Sequence, residues 1–362
     1  MRRRALLLSG SLGAGHEMHA STCAASLAAR GWDTDTLDAM RLLGPRGGSA
    51  GEAVFRTMLA TPGLFDAFHF AALRPGSRLA LLADAGARRQ LVPRLRDYLD
   101  AHPADLAISV FATAASAVSV LADAYPGMSH VVLCSDVTPH RLWVQPNVDL
   151  YLVTSAVAEA AVRRYQPRAR VRVVESPMRP GFYDPPDQEQ ARATFGLPVD
   201  ERAVLLMSGA WGLGPIAAAA TALADAGVHV LAVAGRNAKL ETRLRASARH
   251  RPRLHVFGYT EQIPALMAAA DLVITSSGDT CAEARTVGRS LLLLDVVQGH
   301  GRDNLQHELE LGAAVASSRP ADMVRCALAA LDRVKPPGPG AARTQATWET
   351  AFDLALEDLG FR

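Results

Sequence analysis

Ser9-Gly10-Ser11-Leu12-Gly13-Ala14-Gly15-His16 and Ser208-Gly209-Ala210-Trp211-Gly212-Leu213-Gly214-Pro215 decide how this chain is read. Each follows a short, continuous apolar run, Ala5–Leu8 in the first case and Ala203–Met207 in the second. Each precedes a small-residue stretch of helical period, Met18–Ala29 and Ile216–Ala226. Strand, glycine turn and helix in that order open a parallel sheet covered by helices. The arrangement aims free helix N–H groups at the carboxyl ends of the strands, where such sheets bind ligands.

Outward from these two stretches the same alternation continues. Leu106–Val110, His130–Cys134, Leu150–Val153 and Val171–Val174 read as strands of the first half. Val228–Ala234, Leu254–Phe257, Leu272–Thr275 and Leu291–Leu294 read as strands of the second. Continuous rather than alternating apolar runs fit burial on both faces. The expected fold class is therefore α/β, with two doubly wound, Rossmann-like domains facing a cleft. The first is expected over 1–180 and the second over 198–340, separated by the proline-rich run Glu175–Pro186. A second such run, Lys335-Pro-Pro-Gly-Pro-Gly, precedes a helical segment near Gln345–Leu359, and 345–362 is expected to return to the first domain.

Composition narrows the function classes. The chain has 362 residues, 49% hydrophobic and 20% charged, which excludes disorder. Thirty-eight Lys and Arg against 36 acids leave a net charge of +2, too balanced for a protein that neutralises many nucleic-acid phosphates. Cys23, Cys134, Cys281 and Cys326 lie far apart without a C-x-x-C, so neither a zinc site nor a disulfide framework is expected. After Met1-Arg-Arg-Arg the apolar run is only Ala5–Leu8, short against the roughly 7–15 residues of a signal-peptide core. No apolar stretch reaches the ~20 residues of a membrane span. A cytoplasmic protein is expected, soluble or peripheral on the inner membrane face. Arg74–Arg96 holds six arginines and one acid among interspersed leucines, a pattern that suits an anionic membrane surface or an ordinary solvated helix.

Five segments carry candidate chemistry. In the first, His16 falls at a helix start and is a candidate general base, against a packing role. Its glycines are spaced Gly10, Gly13, Gly15, which is not the dinucleotide G-x-G-x-x-G, and no acid-tipped second strand supports a nicotinamide site. In the second, Asp136 follows the strand His130–Cys134, placed to orient or activate a hydroxyl or simply to start a turn before Pro139. The third is the Ser208–Pro215 turn, a candidate diphosphate cradle. In the fourth, Asp279 or Thr280 is expected to cap a helix with Glu283 in its first turn, as a plain capping box or as a carboxylate for a ribose diol. The fifth, Gln298-Gly299-His300-Gly301-Arg302-Asp303-Asn304, reads as a donor-rich loop.

Together these residues resemble the GT-B glycosyltransferases of the monogalactosyldiacylglycerol-synthase and processive-diacylglycerol-glucosyltransferase type, with MurG as a more distant relative. Gly13-Ala14-Gly15-His16 resembles the family's N-terminal loop, and Phe55–Phe65 its acceptor-side segment. Ser135-Asp136, His140, Trp143 and Asp149-Leu-Tyr151 resemble its T-D…H…W…V-D-x-Y stretch. Gly235-Arg236-Asn237-Ala-Lys239-Leu240 fits its G-R-N-x-K-L run, and Thr280-Cys-Ala-Glu283-Ala284 its T-x-x-E-A. The sequence departs from the family pattern at Thr275-Ser-Ser-Gly278-Asp279, where a glycine pair is usual, and at Gln298 and His300, where Pro and Gln are usual.

The resemblance implies inverting transfer from a UDP-sugar co-substrate to a hydroxyl of a lipid or other hydrophobic acceptor, with no cofactor and no metal. It implies that Glu283 binds the uridine ribose and that Tyr259 and Thr260 flank the uracil. Gly209, Trp211, Gly212 and Arg236 would lie near the diphosphate, with Asp279 and Thr280 beside the phosphate oxygens. His300, Asp303 and Asn304 would face the sugar. His16 would be the base, with Asp136 as partner or rival, and Gly13 and Gly15 would shape the loop. The alternatives are a transferase acting on a soluble natural product and a UDP-GlcNAc 2-epimerase-like enzyme.

Overall fold

The computed structural model describes residues 2–11, 14–44, 64–209, 212–312, 314–317, 320–333 and 345–361. The chain divides into two compact units, Met1–Met178 with Gln345–Arg362, and Arg179–Thr344.

The first unit holds six parallel strands: β1 (Arg4–Ser9), β2 (Asp33–Asp38), β3 (Leu106–Ser109), β4 (Ser129–Cys134), β5 (Leu150–Val153) and β6 (Val171–Val173). Their order is β2-β1-β3-β4-β5-β6. Its helices are α1 (Gly15–Ala29), α2 (Arg78–Ala101), α3 (Ala112–Leu121) and α4 (Ala156–Tyr165). Short turns of helix cover Ala39–Leu42 and Leu64–Phe68, the latter running into a π-turn at His69–Leu73. Strand order reverses between β1 and β3, so the loops after these two strands flank the crevice of the sheet.

The second unit holds β7 (Ala203–Leu206), β8 (His229–Val233), β9 (Leu254–Phe257), β10 (Leu272–Ser276), β11 (Ser290–Leu294) and β12 (Ala314–Ser317), in the order β12-β11-β10-β7-β8-β9. Its helices are α5 (Gln188–Phe195), α6 (Ile216–Asp225), α7 (Ala238–Ala248), α8 (Ile263–Ala269), α9 (Asp279–Thr286), α10 (His300–Glu310) and α11 (Pro320–Leu331). The switch point here lies between β7 and β10. The apolar runs that mark β7, β8, β10 and β11 are buried along their length apart from Ser290.

α12 (Gln345–Asp358) belongs to the first unit. Trp348 and Phe352 are buried with Ala20, Cys23 and Leu27 of α1. The Trp348 indole donates to Ser26 Oγ at 3.1 Å, and Arg30 pairs with Glu349 and Asp353. These polar groups fix the axial register of two helices whose apolar contact alone would allow sliding.

Two strands escape the sequence pattern. β2, Asp33-Thr-Asp-Thr-Leu-Asp38, has low strand propensity and no apolar run. It forms because it is an edge strand zipped to β1, with Leu6 opposite Asp35 and the Arg4 guanidinium on Asp35 at 2.7 Å. This corrects the expectation that no acid ends the second strand: Asp38 does. Among the described residues β12 is likewise an edge strand, paired with β11. The proline-rich run read as a linker is packed: Met178 and Phe182 are buried, and Pro180–Phe182 form a 3-10 turn.

Candidate functional site

In the first unit the loop after β1 meets the residue after β3. A Cβ on Gly10 would lie 2.6 Å from the Phe111 ring, so the backbone approach there requires glycine. Asp38, at the tip of β2, accepts from the backbone N–H of Ser11 at 3.4 Å and of Met40 at 2.8 Å. Its carboxylate therefore pins the glycine loop and caps the helical turn that follows, which is the use this acid has here. Gly15 is the first residue of α1 and His16 the second. The His16 imidazole is half-buried, edge-on to Phe111 at 5.3 Å between ring centroids and 6.3 Å from Trp143. Asp136, on the loop after β4, accepts the Trp143 indole N–H at 2.9 Å. His140 lies 6.3 Å from Trp143 on that loop, and the buried His69 of the π-turn stands perpendicular to His140 at 6.2 Å. Gly13 lies outside the described residues, as does most of the segment 55–65.

In the second unit the turn after β7 uses its glycines for their conformation. Gly209, Gly212 and Gly214 have φ of 56°, 57° and 88°. A Cβ on Gly212 would also meet Leu240 at 2.5 Å, and one on Gly214 would meet Val296 at 2.7 Å. Trp211 lies outside the described residues. After β8, Asn237 caps α7 by accepting from the Leu240 N–H at 3.0 Å. The guanidinium of Arg236 sits 4.9 Å over the ring of Tyr259, a flat platform whose tyrosine is exposed. Thr260 is half-buried and its hydroxyl accepts from the Gln262 N–H at 3.1 Å, shaping the turn into α8.

The loop after β10 departs from expectation. The N-cap of α9 is Gly278, without a side-chain cap, so neither Asp279 nor Thr280 caps the helix and no capping box forms. Asp279 is instead the first helical residue, and Glu283 is buried one turn on. Burial pushes the Glu283 carboxyl up to about 8; the negative charge of Asp279 adds to this, while Arg179 and a hydrogen bond with Thr280 oppose it. A buried carboxyl whose pKa is raised by desolvation and a neighbouring charge is a candidate functional group. The segment 298–304 is also corrected: it is not a loop beyond Gly299, since α10 begins at His300 and carries Asp303 and Asn304 in its first turns. Gly299, at φ 64°, makes the turn that starts the helix. Ser277 Oγ donates to the Gly301 carbonyl at 2.6 Å, tying this helix to the loop that leads to Glu283.

Arg179, Ser277 and Asp38 were missed by pattern reading, and Trp143 was read only as part of a family stretch, without its bond to Asp136. Arg179 stood inside a run taken as linker; a lone cation between Met178 and Pro180 was its one signal. Ser277 and Asp38 have none, because their role depends on which loop folds beside them. Among the described residues no group of three or more His, Cys, Asp or Glu is arranged to hold a metal ion.

The comparisons fall on this geometry. The glycosyltransferase family 28 C-terminal domain matches residues 215–317, which span Arg236, Tyr259, Glu283 and the α10 residues. A probable chloroplastic monogalactosyldiacylglycerol synthase of Glycine max is 30% identical over 237 residues, 62% of this chain and 43% of that protein. A processive diacylglycerol beta-glucosyltransferase of Bacillus pumilus is 31% identical over 195 residues, 52% of this chain and 51% of that protein. The chain thus spans about half the length of these curated relatives. The crystal structure of Acinetobacter baumannii MurG superposes with a TM-score of 0.64 at 14% identity, covering 98% of this chain and 99% of that one. The chain has the GT-B fold, and residues 215–317 of its second unit are similar to the glycosyltransferase family 28 C-terminal domain.

Proposed function

We propose that this protein is an inverting glycosyltransferase that moves a sugar from a UDP-sugar to a hydroxyl of a lipid or similarly hydrophobic acceptor, without a metal or other cofactor. The observation that carries the reading is Glu283. It is a buried carboxyl that feels the charge of Arg179, on the helix after β10, at the switch point of a unit similar to the glycosyltransferase family 28 C-terminal domain. A ribose diol offers two hydroxyls to such a group, and the adjacent glycine turn after β7 offers backbone N–H groups and a helix N-terminus to a diphosphate. The Arg236–Tyr259 platform suits the face of a pyrimidine base.

In the transfer, the acceptor oxygen attacks the anomeric carbon from the side opposite UDP. The bond from that carbon to the UDP oxygen breaks, and the acceptor proton passes to a base. His16 is the group assigned to take it, a contribution worth about 10²–10⁴-fold. Charge building on the departing diphosphate is met by the helix N-terminus and arginine of the second unit, usually the larger effect. His300, Asp303 and Asn304 are assigned to the sugar hydroxyls.

A lipid acceptor is favoured by the outer face of α2. Leu79 and Leu82 are 63% and 70% exposed, Arg78 and Arg89 are exposed on the same helix, and Asp84, the acid among them, is turned inward. No helix among the described residues is long and apolar enough to cross a membrane. Contact of this face with an anionic bilayer would be peripheral, on a cytoplasmic membrane face, with no nucleic acid involved.

The test pairs two substitutions. Glu283→Ala is expected to weaken UDP binding, measured by calorimetry, by about 1.5–3 kcal/mol. His16→Ala is expected to lower turnover at least 100-fold, an order taken from general-base effects of about 10²–10⁴, with UDP affinity unchanged. Unaltered UDP affinity in the first variant rejects the nucleotide site, and near-normal turnover in the second rejects the base.

A further inference from the structure

We propose that Trp143 is a positioning residue for the acceptor-activating groups of the first unit: its indole N–H holds the Asp136 carboxylate while its ring walls the imidazole of His16. The proposal rests on the reading of His16 and Asp136 as those groups.

Trp143 ends the 3-10 turn Arg141–Trp143, which packs on Ala112 and Ala115 of α3. It is 3% exposed. A ring so deeply buried needs an acceptor for its N–H, and a phenylalanine would fill much of the same space without that demand. The acceptor is Asp136 Oδ2 at 2.9 Å, seven positions earlier on the same loop. The bond closes the Asp136–Trp143 loop on itself and fixes the carboxylate as the chain leaves β4.

The other flank of the indole concerns the imidazole. His16 lies 6.3 Å away at a tilt of 46°, and Phe111 meets the same imidazole edge-on at 5.3 Å. His140 borders the same indole at 6.3 Å. One side chain therefore adjoins the carboxylate and two imidazoles. With two aromatic rings close by, His16 has fewer ring orientations open to it, which is what a base needs when misplacement by about 1 Å costs about 100-fold.

The N–H also has an electrostatic effect. A donor seated on a carboxylate draws down its negative potential nearby. Removing that donor leaves a stronger negative field and a freer carboxylate, and both favour a proton on a neighbouring imidazole. The remaining titratable or charged groups on the contributing elements are Glu17, His19 and Cys23 on α1, His130 and Cys134 on β4, His140, Arg141 and Asp149 on the loop and its 3-10 turn, and His69 on the π-turn. None of these is changed by the substitutions below.

The experiment uses the full chain with ¹⁵N-labelled histidine, the His16 resonances being assigned from a His16→Gln sample. Trp143→Phe removes the N–H and keeps an aromatic ring. A chain carrying 3-benzothienylalanine at position 143 removes it with the indole shape retained, and decides the matter if Trp143→Phe does not fold. The His16 titration midpoint is expected to rise by about half a pH unit or more on loss of the N–H, and to stay in place when the same change is made in an Asp136→Asn background. An unmoved midpoint overturns the proposal. So does an equal rise with Asp136→Asn, which would assign the effect to ring packing alone. Transfer from UDP-glucose or UDP-galactose to dioleoylglycerol in vesicles, where detected, is expected to show kcat lowered about tenfold with the donor KM unchanged. If His16→Ala leaves transfer intact while the midpoint still moves, the base assignment fails and the Trp143 coupling stands. If His16→Ala abolishes transfer while the midpoint is unmoved, the coupling fails and the base assignment stands.

Discussion

Replacing Glu283 by glutamine tests the nucleotide site through stability alone. The carboxyl is held up at about 8 from an ordinary 4.5, first by burial and then by Asp279. Between those values the folded protein binds a proton that the unfolded chain has released. Stability contributed by this group is thus fully present below about 4.5 and is lost as pH rises through about 8. Three and a half pH units at about 1.36 kcal/mol each set a ceiling of about 5 kcal/mol. Reorganisation and water entry around a buried charge leave a fraction of it, on the order of 1–3 kcal/mol. For a unit of this size, 1 kcal/mol corresponds to roughly 2–4 °C in Tm. Thermal melts at pH 5, 7 and 9 are expected to show the wild-type second unit losing several degrees with rising pH relative to Glu283→Gln, which has no proton to lose. The raised carboxyl also fits its assigned role: an acid that resists ionisation in the empty site is ready to share hydrogen bonds with a diol. Parallel melting profiles for the two proteins would refute the reasoning, because they would show Glu283 to be ionised and solvated at neutral pH.

Two other outcomes follow from named contacts. His130 is buried, with one ring nitrogen 3.1 Å from Ser109 Oγ and the other 3.1 Å from the Asn147 carbonyl, and burial pushes it down to about 4. The carbonyl only accepts, so Nδ1 donates to it, and the lowered pKa keeps the ring neutral near pH 7. Stability of the first unit is therefore expected to fall as pH drops from about 6.5 toward 4, and His130→Gln should flatten that acid slope in denaturant titrations. Charge reversal at Arg78 and Arg89 is expected to abolish co-sedimentation with vesicles containing phosphatidylglycerol. Arg88 is the wrong choice for this test, since it pairs with the buried Asp84 at 3.2 Å and its reversal would disturb the fold. Binding that survives both reversals would leave α2 an ordinary solvated face.

The central strands were legible because parallel strands buried on both faces leave continuous apolar runs, as in Leu272–Ser276. The glycine turns were legible because left-handed backbone and close approach select glycine wherever they occur, at Gly209 and Gly212 as at Gly10. The amino-acid order by itself therefore determined two doubly wound sheets and the strand ends that carry ligand chemistry. It did not determine β2, whose aspartates and threonines are extended only because β1 lies beside them. Nor did it determine that Asp38 holds a glycine loop, that Ser277 ties down α10, that the charge of Arg179 acts on Glu283, or that Trp143 bonds Asp136 and lies near His16. Backbone conformation and burial are local demands, met residue by residue and so written in residue type. A hydrogen bond or a pKa belongs to two groups distant in the chain, and its partner exists only once the sheets have brought the loops together.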